Sequence, residues 1–177
     1  MELTTARLVL REYSAADFDA VHAFATDPRT VLFVDWGPNT EQDTLDFLNY
    51  CDTSAQAVPR TGHTLAITLA GVVIGSVGLT VHHGAKAEIG YTVNPTHWEL
   101  GYATEAAKAL LDFGFSELAL DQITATCRPE NVASAGVLRK LGMAQTGHLK
   151  NDRLIRGAWL DSLVFSTTAP QLSSKTG

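Results

Sequence analysis

Hydrophobic and polar positions recur along the 177-residue chain with two different spacings. Apolar residues that alternate with polar ones, or that form short apolar runs, predict strands, whereas apolar residues three and four positions apart predict helices. In chain order, the predicted elements are a strand over 7–13, helices over 14–27 and 41–56, strands over 64–69, 72–81 and 87–93, a helix over 101–118, a strand over 122–127, a short helix between Asn131 and Gly142, and strands over 144–150 and 156–167.

Several helix ends carry recognisable boundary residues. Ser14 with Asp17 three positions later, and Thr40 before the second helix, fit N-caps. Asn131 is a natural N-cap for the last helix, and Gly142 suits the left-handed position just beyond its end. These residues support the predicted helix boundaries independently of the hydrophobic pattern.

The order of these elements predicts the fold class. Three antiparallel strands followed by a strand–helix–strand–helix unit indicate a single α/β (α+β) domain with a mixed, mostly antiparallel sheet and helices on both faces. We expect this domain to span residues 1–170. Residues 171–177 form a short polar tail that we expect to be disordered.

Composition narrows the possible function classes. The chain is 45% hydrophobic and has a formal net charge of -6, which disfavours a general nucleic-acid surface and mildly favours a cationic substrate. No apolar run is long enough to cross a membrane, and the two cysteines fit a reducing cytoplasm. His82 and His83 could bind a metal, but an exposed loop pair is the preferred interpretation, so no metal is expected.

The segment "WELGYATEA", residues 98–106, places a glycine at the start of the longest apolar helix. Backbone N–H groups at a helix start lack intrahelical partners and carry partial positive charge, and a glycine lets a phosphate approach closely. Taken alone, the signal is weak, because a glycine before a helix more often marks only a turn. The segment matches neither a Walker loop nor the GxGxxG fingerprint.

This segment and a second one, "NVASAGVLRKLGM" at 131–143, together resemble the GNAT acetyltransferases, and within them the RimJ/RimL-like branch. The branch carries W-G-x-G-Y-A-T-E-A followed by N-x-x-S-x-x-V-L-x-K-L-G-F. The segments "TARLVLREY" and "DWGPNT" also resemble it, so that the similarity covers about residues 3–168. Glu99 replaces a glycine of the branch, Leu100 replaces a small or polar residue, and Met143 replaces the phenylalanine.

The resemblance implies acetyl-CoA as the donor. Its diphosphate would lie on the N–H groups of residues 99–104, and its pantetheine arm would add to the edge of strand 87–93, which must then splay from strand 122–127. Gly90 is interpreted either as a bulge that begins the splay or as a packing position. Arg139 and Lys140 either bind the outer phosphate or are exposed helix charges. The expected cofactor-binding residues are Tyr91, Thr92, Val93, Trp98, Glu99, Leu100, Gly101, Tyr102, Ala103, Thr104, Asn131, Ser134, Arg139 and Lys140.

The resemblance also implies the catalytic groups. Glu88 is expected to accept the amine proton, with a strand-end carboxylate bonded to backbone as the alternative. Many GNAT enzymes use a tyrosine to protonate the leaving thiolate, but that position is Leu138 here. Ser134 is therefore the expected acid, although it could instead serve only as a capping partner or a contact to CoA. The backbone N–H of Val93 is the expected donor to the developing oxyanion.

The acceptor side is less well defined by sequence. Phe33 and Trp36 are interpreted as an aromatic wall and Asp35 as a group that attracts an ammonium, with packing in a small satellite core as the alternative. The expected reaction is direct transfer of an acetyl group, in a ternary complex, to a primary amine. A protein N-terminal amine is the first choice, and the alternatives are a small-molecule amine (polyamine, amino acid or antibiotic) or a non-catalytic acyl-CoA-binding regulator. We expect a cytoplasmic protein that could form a homodimer.

Overall fold

The computed structural model describes residues 1–169, which form eight strands and five α-helices joined by short connections. The strands are β1 (Glu2–Thr4), β2 (Leu8–Arg11), β3 (Gly62–Leu69), β4 (Val72–His82), β5 (Lys86–Val93), β6 (Gln122–Cys127), β7 (Ala144–Ile155) and β8 (Ala158–Thr168). The helices are α1 (Phe18–Ala25), α2 (Pro28–Val31), α3 (Glu41–Gln56), α4 (Tyr102–Ser116) and α5 (Val132–Lys140). The tail predicted at 171–177 lies outside the described residues.

The strands form one sheet in the order β1-β2-β3-β4-β5-β6-β8-β7. Every neighbouring pair is antiparallel except β5 and β6, which are parallel. The β5–β6 ladder contains only the pairs from Lys86–Gln122 to Glu88–Thr124. Beyond Glu88 the two strands separate, so residues 89–93 pair with β4 alone. The predicted mixed sheet, with a splay between its central parallel strands, is confirmed.

The sheet buries apolar side chains on both faces. Leu65 and Ile67 of β3 belong to the larger core cluster, which also contains Leu110 of α4. Ala66, between them, faces the other way and joins the smaller cluster with Phe24 of α1. Because side chains alternate along a strand, this arrangement places α4 and α5 on one face and α1 and α3 on the other.

The predicted helix boundaries rest on local hydrogen bonds. Thr40 Oγ1 accepts a hydrogen bond from Asp43 N at 3.2 Å, and Thr40 N donates to Asp43 Oδ2 at 2.8 Å, which completes a capping box for α3. The side chain of Asn131 accepts a hydrogen bond from Ser134 N at 3.1 Å. Gly142 adopts the left-handed conformation, with φ 78, just after α5. All three boundaries follow the predicted cap residues.

Three elements differ from the sequence-based prediction. Strand β1 was not predicted, and it exists because residues 2–4 pair with the end of β2. Helix α2 was not predicted either, and it forms because Asp27 accepts a hydrogen bond from Arg29 N and Pro28 occupies the first turn. Strand β7 continues five residues past the predicted end at 150, through an irregular register with β8.

The interpretation of Gly90 as a bulge is wrong. Strands β4 and β5 pair in unbroken register, with Gly90 opposite Gly78. A Cβ at Gly90 would have no atom within 4 Å, so Gly90 is not a packing position either. The tight approach between the strands is at Gly75, where a Cβ would lie 2.2 Å from the carbonyl oxygen of Thr92. The splay therefore arises from divergence after Glu88 and needs no bulge in β5.

Two further features concern possible membrane and metal binding. Among residues 1–169, every helix is too short or too polar to span a membrane. In the same part of the chain, no three His, Cys, Asp or Glu side chains are grouped so that they could hold a metal ion. His82 and His83 are exposed at the end of β4.

Candidate active site

A cleft of about 970 Å³ opens where β5 and β6 separate. One side is formed by β5, the end of β6 and the start of α5, and the other by the loop before α3 and by α3 itself. Its lining includes Phe33, Asp35, Trp36, Asp43, Asp46, Gly90, Tyr91, Thr92, Cys127, Arg128, Asn131, Ser134, Leu138 and Arg153. The cleft thus joins the predicted acceptor wall to Tyr91, Thr92, Asn131 and Ser134, whereas Val93 and residues 98–104 are not part of its lining.

The edge of β5 provides free main-chain groups to the cleft. Residues 89–93 have no strand partner on the side that faces β6. An unpaired strand edge can bind an extended, amide-bearing ligand through main-chain hydrogen bonds. The carbonyl oxygen of Val93 is already engaged, because Trp98 Nε1 donates to it at 2.6 Å. Trp98 therefore fixes the loop after β5 to the end of that strand.

The loop before α4 has the conformation expected of an anion-binding turn. Gly101 is the N-cap of α4 with φ 83, and Glu99 also has a positive φ of 64. The first N–H groups of α4, on Tyr102, Ala103 and Thr104, have no partner within the helix. The side chain of Glu99 is exposed, so its backbone can contribute to the turn while its carboxylate faces solvent. The geometry fits a diphosphate on these N–H groups.

Arg7 lies beside this loop and was not identified from the sequence. Its Nη1 donates to the carbonyl oxygen of Leu100 at 3.0 Å, and its guanidinium carbon lies 4.5 Å from the centroid of the Tyr102 ring. A Cβ at Gly101 would be 3.4 Å from Arg7 Nη2. A half-exposed cation is therefore placed at the start of α4. The only sequence signal was its position in the quoted segment "TARLVLREY".

Glu105 anchors the N-terminal segment to α4. Its Oε1 accepts hydrogen bonds from Thr5 Oγ1 at 2.7 Å and from Arg7 N at 2.8 Å, and its Oε2 pairs with the Arg7 guanidinium. Burial opposes ionisation of Glu105, but the hydrogen bonds from Thr5 and Arg7 outweigh it and hold its pKa below the ordinary value. The carboxylate is therefore charged at neutral pH and keeps Arg7 in place.

Ser134 lies in direct contact with Tyr91. The Tyr91 hydroxyl donates to the carbonyl oxygen of Ser134 at 3.0 Å and lies 3.1 Å from Ser134 Oγ. Burial raises the pKa of Tyr91 to about 12, so the phenol stays protonated at neutral pH. Leu138, at the position of the family's tyrosine, is buried in the core. The sequence assigned Tyr91 to the cofactor site through its backbone and gave no signal for its hydroxyl.

Glu88 faces a small recess next to the cleft. Its Oε1 accepts a hydrogen bond from Thr126 Oγ1 at 3.2 Å. The recess is also lined by Gly78, Thr80 and Gly90, and Gly90 belongs to the lining of the main cleft as well. The hydrogen-bond partner of Glu88 is thus a side-chain hydroxyl on β6, not the backbone group of the alternative interpretation.

The predicted acceptor residues Phe33, Asp35 and Trp36 line the opposite side of the cleft. Asp43 and Asp46 of α3 lie on the same side, which gives it three carboxylates. Asp35 Oδ2 also accepts a hydrogen bond from Arg153 Nη1 at 3.4 Å. This side of the cleft can therefore attract a cationic group.

Arg156, in the turn between β7 and β8, fixes the acceptor loop and was not identified from the sequence. Its guanidinium donates to three carbonyl groups of that loop, so the end of the hairpin lies against the aromatic wall. The acceptors are the carbonyl oxygens of Val34 at 3.1 Å, Trp36 at 3.2 Å and Gly37 at 3.0 Å.

Arg139 and Lys140 are exposed in the last turn of α5, and neither lines the cleft. The guanidinium carbon of Arg139 lies 5.7 Å from the centroid of the Phe165 ring. Their assignment to the outer phosphate of CoA stays a prediction. Arg7 is the cation that the structure places next to Gly101.

Comparison with known proteins identifies the family. Residues 7–144 match the sequence model described as "Acetyltransferase (GNAT) domain". The chain belongs to the GNAT acetyltransferase family. The acetyltransferase is 33% identical over 168 residues to the uncharacterized N-acetyltransferase YnaD of Bacillus subtilis (strain 168). This alignment covers 94% of this chain and 96% of YnaD.

Two solved structures support the same assignment. A GNAT-family acetyltransferase from Bacillus anthracis superposes with a TM-score of 0.85 at 30% identity, over 95% of this chain and 98% of the other. RimJ of Mycobacterium smegmatis, solved in complex with CoA-disulfide, has a TM-score of 0.82 at 28% identity, over 94% of this chain and 84% of RimJ. The protein is an acetyl-CoA-dependent N-acetyltransferase, as the resemblance implied.

Proposed function

We propose that this acetyltransferase transfers the acetyl group of acetyl-CoA to the α-amine of a protein N-terminus, by direct attack within a ternary complex. The observation that carries the proposal is one continuous cleft that joins the free edge of β5 to an acidic acceptor wall. The wall contains Asp35, Asp43 and Asp46, which favour approach of an ammonium group. The resemblance to the RimJ/RimL-like branch supports a protein N-terminus as the acceptor.

Residues on the donor side fit acetyl-CoA, which supplies the acetyl group as an activated thioester. The main chain of 91–93 would bind the pantetheine amides, and the N–H groups at the start of α4 would bind the diphosphate. The guanidinium of Arg7 would add a positive charge beside that diphosphate. Asn131 and Ser134 line the same part of the cleft and would contact the pantetheine arm.

Proton transfers are assigned to Glu88 and Ser134. A free α-amine has a pKa of about 7.7–8.0, so roughly a tenth or more is neutral at pH 7 and modest base catalysis by Glu88 suffices. As the new N–C bond forms and the C–S bond breaks, Glu88 takes the amine proton, while the Ser134 hydroxyl gives a proton to the leaving sulfur and regains one from solvent. The Val93 N–H would stabilise the negative charge that develops on the carbonyl oxygen.

A polyamine is the second candidate acceptor. The three carboxylates on the acceptor wall favour a ligand with several positive charges more strongly than a peptide with one. An acceptor of this kind would bind through Asp35, Asp43 and Asp46 and would need no hydrogen-bond donor from the protein.

An acceptor panel tests the proposal. Release of free thiol from acetyl-CoA would be measured with short peptides that differ in their first residue, with the same peptides blocked at the N-terminus, and with spermidine. We expect turnover of unblocked peptides and none of blocked ones, with mass spectrometry locating the acetyl group on the α-nitrogen. Turnover of spermidine alone would replace the N-terminal acceptor with a polyamine.

The cytoplasmic location and a homodimer also belong to the proposal. Leu149 and Leu154 on β7, the last strand of the sheet, and Trp159 on β8 are exposed, which supports pairing of two copies at this edge. Sedimentation equilibrium of the purified protein would give the oligomeric state, and cell fractionation would give the location.

A further inference from the structure

Arg128 is a buried cation that the reaction described so far does not use. It directly follows the last residue of β6, lines the cleft and is only 5% exposed. Its Nη1 is buried and has no hydrogen-bond partner within residues 1–169. None of the ion pairs formed in that part of the chain includes Arg128.

Such an arrangement is unfavourable for the protein alone. Buried charges are nearly always paired or fully hydrogen-bonded, because removing a cation from water carries a large desolvation cost. The guanidinium has donors and no acceptor capacity. A buried Nη1 that lines a large cleft and has no acceptor among residues 1–169 leaves a position for a ligand oxygen.

The position of Arg128 indicates on which side of the cleft this ligand lies. Along β6, Cys127 packs into the larger core cluster, whereas Thr126 faces the other way and donates to Glu88. Arg128 follows Thr126, the residue that contacts Glu88, by two positions just beyond the end of β6, and it lines the cleft that also contains the acceptor wall. The diphosphate loop at the start of α4 already has its own cation, Arg7. Arg128 therefore belongs to the side from which the amine approaches.

We propose that Arg128 binds the carbonyl or carboxylate oxygen adjacent to the reacting amine, so that the enzyme selects α-amino acyl acceptors. A peptide N-terminus, an amino-acid amide and a free amino acid share this oxygen, whereas a polyamine lacks it. The inference rests on the proposed function and specifies the acceptor of that same site. The acidic wall would attract the ammonium, and Arg128 would orient the neighbouring oxygen.

Three matched amines test the proposal: alaninamide, alanine and isopropylamine. Isopropylamine has the same carbon skeleton as the other two but carries a methyl group where they have the carbonyl group. For wild type, Arg128→Met and Arg128→Lys, kcat/KM would be measured for each amine at saturating acetyl-CoA. We expect Arg128→Met to lower kcat/KM for alaninamide about 10- to 100-fold while leaving isopropylamine unchanged. Ratios between variants remove the effect of the different amine pKa values.

The other variants and measurements complete the test. Arg128→Lys keeps the charge but loses the planar fork, so we expect an intermediate loss for alaninamide. Arg29→Met removes an exposed arginine paired with Asp27 and serves as a control with wild-type kinetics. The dissociation constant of acetyl-CoA should stay within about twofold of wild type in every variant. If Arg128→Met does not fold, the comparison of Arg128→Lys with wild type decides.

The outcomes separate the two proposals. Equal losses for all three amines, or a weaker acetyl-CoA complex, would assign Arg128 to the donor and overturn the inference. Unchanged kinetics in both variants would do the same by making Arg128 a structural residue. Failure of the wild type to acetylate any free peptide N-terminus in the acceptor panel would instead contradict the proposed function. Alanine against alaninamide shows whether the wild type prefers a carboxylate or a neutral carbonyl.

Discussion

Glu88 and Tyr91 are three residues apart on β5, so their side chains leave opposite faces of the strand. Glu88 faces the recess beside Thr126, and Tyr91 contacts Ser134 at the start of α5. The proposed base and the proposed acid therefore approach the splay from different sides. This separation keeps the group that accepts the amine proton apart from the group that donates a proton to the departing sulfur.

Replacement of Glu88 tests its role as the base. In Glu88→Gln the amine must lose its proton to water, so we expect kcat/KM to fall by about 100-fold at pH 7 and to recover partly as the pH rises past the pKa of the amine. The measurement is a pH–rate profile of variant and wild type with one peptide. A variant profile that overlays the wild-type profile would show that Glu88 is not the base.

Ser134→Ala and Tyr91→Phe separate the proton donation by Ser134 from the hydrogen bond that Tyr91 makes to it. The leaving thiol has a pKa near 8.5, so we expect loss of the Ser134 hydroxyl to lower kcat about tenfold and loss of the Tyr91 hydroxyl to lower it less. Calorimetry with CoA separates a weaker pantetheine contact from the loss of proton donation, because only the former changes the dissociation constant of CoA. If Tyr91→Phe were the slower of the two, the phenol of Tyr91, rather than Ser134, would be the acid.

At the scale of elements, the left-handed turn before α4 needs a glycine at 101 and is also the proposed contact for the diphosphate. Gly101 has φ 83, which is strained for any residue with a Cβ, and Gly71 in the β3–β4 hairpin has the same φ. We expect Gly101→Ala and Gly71→Ala each to lower the free energy of unfolding by about 1 kcal/mol. Only Gly101→Ala should also weaken CoA binding, measured by titration. Equal CoA affinity in both variants would argue against a diphosphate at this turn.

The start of α1 depends on the carboxylate of Asp17, which lies in the turn between β2 and α1. Arg11 forms two 2.8 Å hydrogen bonds to Asp17, and these bonds, together with one from Ser14 N, hold the pKa of Asp17 below its ordinary value against the effect of burial. A depressed folded-state pKa stabilises the protein above the unfolded pKa of about 3.9 and ceases to do so as the pH falls through the folded value.

Asp17→Asn should therefore be less stable than wild type at pH 7, with a difference that shrinks as the pH falls below about 4. Urea unfolding at pH 7 and at pH 3 measures this difference. Asp43→Asn, at the exposed capping box of α3, provides a comparison without an arginine partner. A difference between Asp17→Asn and wild type that is constant with pH would exclude a role for the Asp17 charge.

At the scale of the whole molecule, local signals in the sequence predicted the framework of the site but not Arg7, Arg128 or Arg156. Thr40, Asn131 and Gly142 were identifiable because their partners lie within a few residues. Arg7 contacts Leu100 and Glu105, more than ninety residues away, and no local pattern distinguishes it from any other surface arginine.

The wrong interpretation of Gly90 has a related cause. A glycine in a strand can mark a bulge, a close approach or an open position, and the sequence alone does not separate these three. The register with β4 shows that Gly90 is an open position in the floor of the cleft. Gly90 lies open to the cleft because β5 and β6 separate beside it, and this separation joins residues distant in the chain.

The acceptor side is built from parts distant in the chain, and Arg156 connects two of them. It donates hydrogen bonds to the loop at 34–37 from the turn between β7 and β8, about 120 residues away. Each bond contributes on the order of 1 kcal/mol.

We expect Arg156→Ala to release this loop and raise KM for a peptide acceptor about 10-fold while leaving KM for acetyl-CoA unchanged. Steady-state kinetics with each substrate varied in turn measures this, with Arg29→Ala as the control. Equal increases in both KM values would mean that the hairpin supports the whole cleft. A local effect on the aromatic wall would instead raise KM for the peptide and leave KM for acetyl-CoA unchanged.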